Sequence, residues 1–418
     1  MTAEPDLVGP DLVGTEFWGR PHRERYAEFA RLRGLNAPVY YAEPRIPLVR
    51  SGKGFYALVR HADVVEASRN TKVFSSEPAA TSPEPPPWIA ALFGRPMVNM
   101  DDPRHGRLRR IVSRAFSPKM LAGLADEIQA TATKIVDDVI REGADDFVEQ
   151  VAARLPIEVI CAMMGIAPER RPYVLKRIDV MTEYSGVRGS LFHPRTLRLL
   201  AGNLKAIVDL HRLVAKMGRE RRGNPRGDLV SALVNANVDG EALTVRELGS
   251  FFDLLLVAGN ETTRNALSHG LRLFTENPDQ RAYLLEDYEA RIGPAIEEIV
   301  RYVSPIIQFR RTLKEPYTLG GHAFQAGDKV VLFYQAANRD PEVFPDPDAF
   351  DVARSPNPHV AFGGPGAHLC LGANLARMEL KIMFRELFTR LPDIRTKGDP
   401  TLLLSNFDNG VIRQPFTF

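Results

Sequence analysis

The sequence predicts a mainly α protein with a smaller β-rich part. Three observations carry that class. Leu121, Leu124, Ile128, Ile135 and Val139 recur at three-to-four spacing with charged Asp126, Lys134 and Asp137 between them, the pattern of a helix buried along one face. Thr244 and Glu247 stand three apart ahead of the apolar run Phe251–Ala258, a capping-box pattern that starts a helix. Strand patterns are few and short.

Taken in chain order, the doubled PDLVG in MTAEPDLVGPDLVG suits a flexible arm over 1–16, because a short polar terminus has little to bury. Phe55–Val59 reads as a strand. Glu77–Pro87, EPAATSPEPPP, is too proline-rich for regular structure but has apolar flanks, as in a loop that covers something. Tyr317–Leu319 and Lys329–Phe333 are strands separated by glycine turns. Asp340–Pro358 is proline-broken and irregular. Leu371–Leu391 is an amphipathic helix with Leu375, Met378, Phe384, Leu387 and Leu391 on one face. Asn409-Gly410, between Phe407 and Val411-Ile412, reads as a hairpin tip.

The chain has 418 residues, a formal net charge of +2 and 25% charged residues. That balance gives no electrostatic case for nucleic acid as the main partner. No apolar run reaches the length of a membrane span, and the N-terminus lacks a basic-then-apolar signal pattern, so a cytoplasmic protein is expected. With two cysteines, a disulfide framework or a cysteine cluster for zinc or iron–sulfur is excluded.

One cysteine, Cys370, lies in FGGPGAHLCLG, residues 362–372. Gly363, Gly364 and Gly366 allow close approach to a flat object or positive φ. A cysteine just before a helix has free N–H groups and the dipole to favour its thiolate. A small buried cysteine in a turn remains an alternative at this point, as does a nucleophile served by His368. Glu298 and Arg301 sit three apart within the apolar AIEEIVRYVSPI, so a buried pair with further partners is expected. Ala258-Gly-Asn-Glu-Thr-Thr263 interrupts an apolar helix with polar residues. There Thr262 can bond back to the Ala258 carbonyl and, with Gly259, open a groove. His105 and Arg109 are one helical turn apart, placed to grip an anion.

With these motifs in this order, the chain resembles the cytochrome P450 monooxygenases from about Phe17 to its C-terminus. The resemblance implies that family's fold and one catalytic domain over 17–418. It implies haem b with Cys370 as the axial thiolate. By position, His105, Arg109, Arg311 in FRRTL and His368 match haem-propionate partners, with Arg310 the competitor for Arg311, and Ala258 faces the haem. Glu298, Arg301 and Arg354 match a buried ion triad that fixes the cysteine loop. The aromatic residue that family members carry seven positions before the cysteine is replaced by Gly363, so Phe362, eight before, is expected to shield the thiolate.

The resemblance also assigns Thr262 and Glu261 to an alcohol–acid pair that delivers protons to dioxygen. Ile89, Phe93, Met97, Val98 and Met100, then Val257 and Ala258, Ile306 and Ile307, and Phe407 are expected to line a substrate pocket. Nearly all are apolar, which suits a lipid-like substrate. AGNETTRNA, FRRTL and GGPGAHLCLGANLAR resemble soluble actinobacterial enzymes that hydroxylate the ends of methyl-branched lipids and sterol side chains. Electrons are then expected from a separate ferredoxin and ferredoxin reductase, with Arg107, Arg110, Arg114, Lys119, Arg377 and Lys381 as a docking face or an ordinary solvated one. A monomer is expected. A haem-thiolate peroxygenase or isomerase, or a non-catalytic haem sensor, is disfavoured by the intact Glu261-Thr262 pair.

Overall fold

The computed structural model describes residues 12, 15–42, 54–81, 84, 95–113, 116–185, 194–236 and 243–418. Its longest element is a central helix, Val245–Glu276. The capping box forms: Glu247 N donates to Thr244 Oγ1 at 3.1 Å and Thr244 N to Glu247 Oε2 at 2.9 Å, pairing two amides that a helix start would otherwise leave free. Helices Arg154–Met163, Pro194–Arg221, Tyr288–Val303 and Ala373–Arg390 pack against this helix. Leu256, Leu267, Leu271 and Phe274 bury into the main core with Ile160, Ile299 and Phe384.

The periodic segment around Leu121–Val139 is two helices, Pro118–Ala122 and Ala125–Glu142. Gly123, a poor helix former, lies in the turn between them. The cysteine-loop helix starts at Ala373 rather than Leu371.

The β part centres on a five-stranded sheet in the order Val39–Tyr41, Phe55–Leu58, Lys329–Phe333, Gln308–Leu313, Phe74–Ser75. Gln308–Leu313, which contains FRRTL, is therefore a strand that the sequence reading did not mark. Two adjacent arginines obscure the alternation that marks strands in a sequence. One sheet face packs Phe55, Val331 and Phe333 against Phe17, Trp18 and Phe29. The other packs Leu58, Val330 and Leu332 against Val64 and Val73. Leu12, expected in the flexible arm, is buried in the first of these clusters, and Trp18 Nε1 donates to its carbonyl at 2.8 Å.

The C-terminal hairpin also differs from its sequence reading. Val411–Arg413 pairs with Thr401–Leu402, and neither Asn409 nor Gly410 has positive φ, which a two-residue type I′ tip requires. The connecting loop instead bonds to another segment: Ile307 N donates to Phe407 O at 2.7 Å and Asn409 N to Pro305 O at 2.9 Å. Asp340–Pro358 has no helix or strand, as expected, and is anchored by buried Phe344, Phe350 and Val352.

Candidate active site

The glycine loop delivers Cys370 beside the start of the Ala373–Arg390 helix. Cys370 N donates to Phe362 O at 2.8 Å, and the backbone N–H groups of Gly372 and Ala373 point at the sulfur. Burial holds the thiol above its usual range, while those N–H groups, Arg109 and Arg377 oppose the shift by favouring the thiolate. Cys370 nevertheless keeps accessible surface, although loss of solvation dominates its titration. Phe362 lies under the Arg377 guanidinium, 4.5 Å from its ring centre. Gly363 takes φ +97°, and a side chain on Gly366 would lie 2.3 Å from the Ser68 carbonyl. Gly366 also takes positive φ, one of the two uses expected of these glycines, and packs closely against the His61–Arg69 helix.

Around this loop the structure gathers His105, Arg109, Arg311 and His368. The imidazoles of His105 and His368 lie 4.1 Å apart between centres, Ser76 Oγ meets His368 Nε2 at 3.1 Å, and Arg109 Nη2 donates to the Leu369 carbonyl at 2.6 Å. Burial, reinforced by Arg311 and His105, pushes His368 down to about 3; burial and then Arg109 lower His105. Successive residues of a strand face opposite sides, and the two arginines divide accordingly. Arg310 donates to the Ala79 carbonyl, whereas Arg311 acts on His368. Arg311 is buried, and its only side-chain hydrogen bond among the described residues is Nη1 to the Arg310 carbonyl at 2.8 Å, leaving Nε without a partner. A buried guanidinium with no carboxylate partner is costly alone. The cluster therefore suits the carboxylates of a bound group. Among the described residues no group of three or more His, Cys, Asp or Glu side chains could hold a bare metal ion.

Glu298, Arg301 and Arg354 come together. The Glu298 carboxylate, fully buried, accepts from Arg301 Nε at 2.7 Å and Nη2 at 2.8 Å, Arg354 Nε at 3.2 Å, Asn357 Nδ2 at 3.1 Å and Asp351 N at 3.0 Å. Arg301 also donates to the carbonyls of Asn338, Pro347 and Ala349. Satisfying both charges this fully is what permits their burial. The arrangement fixes the irregular Asp340–Pro358 segment that leads into the cysteine loop.

Mid-way along the central helix, Val257 is 50% exposed although Phe252, Leu256 and Asn260 beside it are buried. Ala258 is exposed, and Leu254, Glu261 and Thr262 are partly so. These positions share one helical face, which the surrounding elements leave uncovered. Thr262 Oγ1 donates to Ala258 O at 2.7 Å. Gly259 does not open the groove: a side chain there would meet Ile160 Cδ1 at 2.8 Å, so it brings two helices together. Glu261 pairs with Arg264, one turn on.

Of the expected pocket residues, Met97, Val98, Ile306 and Phe407 are partly exposed, and Ile89 and Phe93 lie outside the described residues. Two are core instead. Ile307 packs with Trp18 and Phe333, because chain alternation turns it away from Ile306, and Met100 packs in the main helical core. Two buried carboxyls were not singled out from the sequence. Burial pushes Glu379 up to about 8, opposed by a hydrogen bond with Thr263. Burial and then Glu261 push Asp408 up to about 7, opposed by Arg264. Glu379 follows Met378 on the helix face and reads as solvated; only the fold shows it buried. The docking cations are already engaged in part: Arg107 with Glu247, Arg377 with Glu297 and Lys381 with Glu289. Arg114 and the Lys119 side chain lie outside the described residues.

The cytochrome P450 family model matches residues 59–392. A methyl-branched lipid omega-hydroxylase of Mycobacterium tuberculosis is 40% identical, over 99% of this chain and 96% of that protein. A steroid C26-monooxygenase of Mycolicibacterium smegmatis is 39% identical, over 92% of this chain and 88% of that protein. Among solved structures, a Mycobacterium marinum cytochrome P450 in complex with pseudoionone superposes with a TM-score of 0.89 at 39% identity, covering 99% of this chain and all of that one.

Proposed function

The chain belongs to the cytochrome P450 family, and from that premise we propose that it is a haem-thiolate monooxygenase acting on the chain end of a methyl-branched lipid, isoprenoid or sterol side chain. The observation that carries this reading is the site around Cys370: one thiol at a helix start, beside two histidines and two arginines, of which buried Arg311 has an unpartnered Nε. That donor set fits haem b. Cys370 would supply the thiolate that binds its iron, and His105, Arg109, Arg311 and His368 would hold its propionates. Bound there, haem supplies the activation of dioxygen by successive one-electron reductions and the insertion of one oxygen atom into a C–H bond, the thiolate favouring O–O cleavage.

The chain's own residues do the rest. The Thr262 hydroxyl, held by the Ala258 carbonyl, positions a proton on that uncovered face of the central helix, and Glu261 passes protons toward it from the Arg264 side. Val257 and Ala258, with Ile306 and Phe407, exclude water and orient an apolar chain. Primary C–H bonds are the least reactive in such a molecule, so terminal oxidation needs a narrow channel that presents only the chain tip. The relatives' names support that regiochemistry, one for omega-hydroxylation of methyl-branched lipids and one for C26 oxidation of steroids. We further propose a monomeric cytoplasmic enzyme, one catalytic domain over 17–418, served by a ferredoxin and its reductase.

Reconstitution with a ferredoxin and its reductase tests the reading against methyl-branched fatty acids, isoprenoids and sterols. The expected product is the terminal alcohol, formed only with electron supply. Mainly internal or ring hydroxylation overturns the channel. Product formation that does not depend on electron supply overturns the monooxygenase assignment.

A further inference from the structure

We propose that the Asp408 carboxyl is a specificity-determining group of the substrate pocket, donating a hydrogen bond to a carbonyl oxygen carried by the substrate. The inference rests on the lipid-pocket reading above and deepens it. The pocket would then prefer an oxygenated isoprenoid or sterol over a hydrocarbon of the same shape.

Asp408 stands beside Phe407 and opposite Ile306, two of the expected pocket residues, and all three keep accessible surface. Asp408 and Ile306 form an isolated antiparallel bridge, and residues directly opposite in such a pair turn their side chains to the same face. Ile307, the next residue, packs into the Trp18–Phe333 cluster. The face shared by Ile306 and Asp408 is therefore the opposite one, where Ile306 packs in part against the Leu58–Leu332 cluster and stays partly exposed beyond it. The loop is held in place from both sides. Asn409 Nδ2 donates to the Val303 carbonyl at 2.6 Å, His269 Nε2 meets the Asn409 carbonyl at 3.1 Å, and Val411 N donates to Asn265 Oδ1 at 3.2 Å. This seats the loop against the central helix within two turns of Thr262, close enough for Glu261 and Arg264 to act on Asp408.

Among the described residues no hydrogen bond to the Asp408 carboxyl is seen, and Arg264, the cation that acts on it, pairs with Glu261 instead. Its loss of solvation dominates its titration although the side chain keeps some accessible surface. A polar group so placed is costly unless something bonds to it.

Protonation then selects the partner. The charged groups facing Asp408 are Glu261 and Arg264 from the central helix, and Ile306 opposite contributes none. Burial first, and Glu261 second, hold the proton up to about pH 7 against Arg264. Below that value the carboxyl is a donor, and a carbonyl oxygen is an acceptor only. Above it the group becomes a carboxylate that repels both Glu261 and a carbonyl dipole. The preference for a carbonyl ligand should therefore be present at low pH and fade as pH rises through about 7.

The test uses the haem-loaded protein and two ligands, geranylacetone and the hydrocarbon of the same carbon skeleton. Dissociation constants are measured by equilibrium dialysis and by the shift of the haem absorption band, at about pH 6 and about pH 8. The wild type should bind the ketone roughly fivefold tighter at the lower pH, the scale of one net hydrogen bond, with the ratio approaching one at the higher. Asp408→Asn, which still donates, should keep the ratio at both values. Asp408→Leu should lose it while binding the hydrocarbon at least as well. A wild-type ratio of one, or an unchanged ratio in Asp408→Leu, overturns the assignment and leaves the lipid pocket standing, since the hydrocarbon still binds. If Asp408→Leu does not fold, the asparagine variant decides alone: a ratio that still falls with pH overturns the proposal. Binding of neither ligand to the wild type overturns this inference together with the lipid-pocket reading.

Discussion

The Cys370 amide donates to the Phe362 carbonyl at 2.8 Å, tying the thiol to a residue whose ring sits beneath Arg377. The bond closes the loop, within which Gly363 takes φ +97°. It holds the Phe362 backbone against that of Cys370 although Phe362 lies eight positions before it.

Haem ligation is the first expectation tested by that geometry. Cys370→Ala protein should lose the thiolate-ligated ferrous–carbonyl absorption band. Cys161 is buried in the core, and burial pushes its thiol up to about 12, so Cys161→Ala should keep the band. A band that survives in Cys370→Ala removes the central assignment.

Much of this site was legible from residue order. His368 and Cys370 sit in a glycine-rich loop and His105 and Arg109 one turn apart on a helix, as their spacing suggested, and the capping box ahead of the central helix formed as its spacing required. What escaped depends on tertiary partners. Ile307 and Ile306 look alike in a sequence, and only strand pairing sends them to opposite sides, Ile307 into the Trp18–Phe333 cluster and Ile306, partly exposed, against the Leu58–Leu332 cluster. Gly259 looked like part of a groove, whereas Ile160 occupies the space beside it. Asp408 looked like a turn residue beside Asn-Gly, because nothing local shows that its loop folds back onto Glu261.

The ion triad should behave as one unit. Glu298→Gln keeps the shape of the side chain but strands Arg301 and Arg354 beside a neutral amide. Loss of one partner of a buried pair costs about 3–5 kcal/mol. Chemical denaturation should register a fall in that range, with haem lost in parallel. Arg354→Lys cannot reproduce its bonds to Pro345 and Asp346 carbonyls and to Glu298 together, so it should cost less than Glu298→Gln but remain measurable. Wild-type stability in Glu298→Gln would show that the triad does not fix the loop.

Glu379 gives a stability test that does not depend on catalysis. Burial pushes its carboxyl up to about 8 in the folded protein from an ordinary value of 4.5. Between those values the native state keeps a proton that the unfolded chain has released, so stability must fall as pH rises through that window. Glu379→Gln removes this contribution, and its melting temperature should fall less between about pH 6 and about pH 8 than that of the wild type. Parallel curves for the two proteins would mean that Glu379 keeps no such proton.

Thr262 separates oxygen use from product formation. Its hydroxyl is fixed by the Ala258 carbonyl at 2.7 Å on the exposed face of the central helix, while Glu261 one residue earlier is engaged by Arg264. Thr262→Ala should bind haem and substrate as the wild type does, because neither the Cys370 loop nor the apolar wall is touched. It should still consume reducing equivalents but release them as hydrogen peroxide, because the proton is no longer positioned. General acid–base contributions run to about 10²–10⁴-fold, so product per electron pair should drop clearly while electron consumption persists. Thr262→Ser restores a hydroxyl without the methyl group and should recover most of the coupling. Glu261→Gln acts at the supply end: it should slow electron consumption and product together, and its Arg264 partner would be left without a counter-charge. Unchanged coupling in Thr262→Ala, measured as product against peroxide, would remove the hydroxyl from the proton path and leave the Ala258 bond as a helix-bending contact alone.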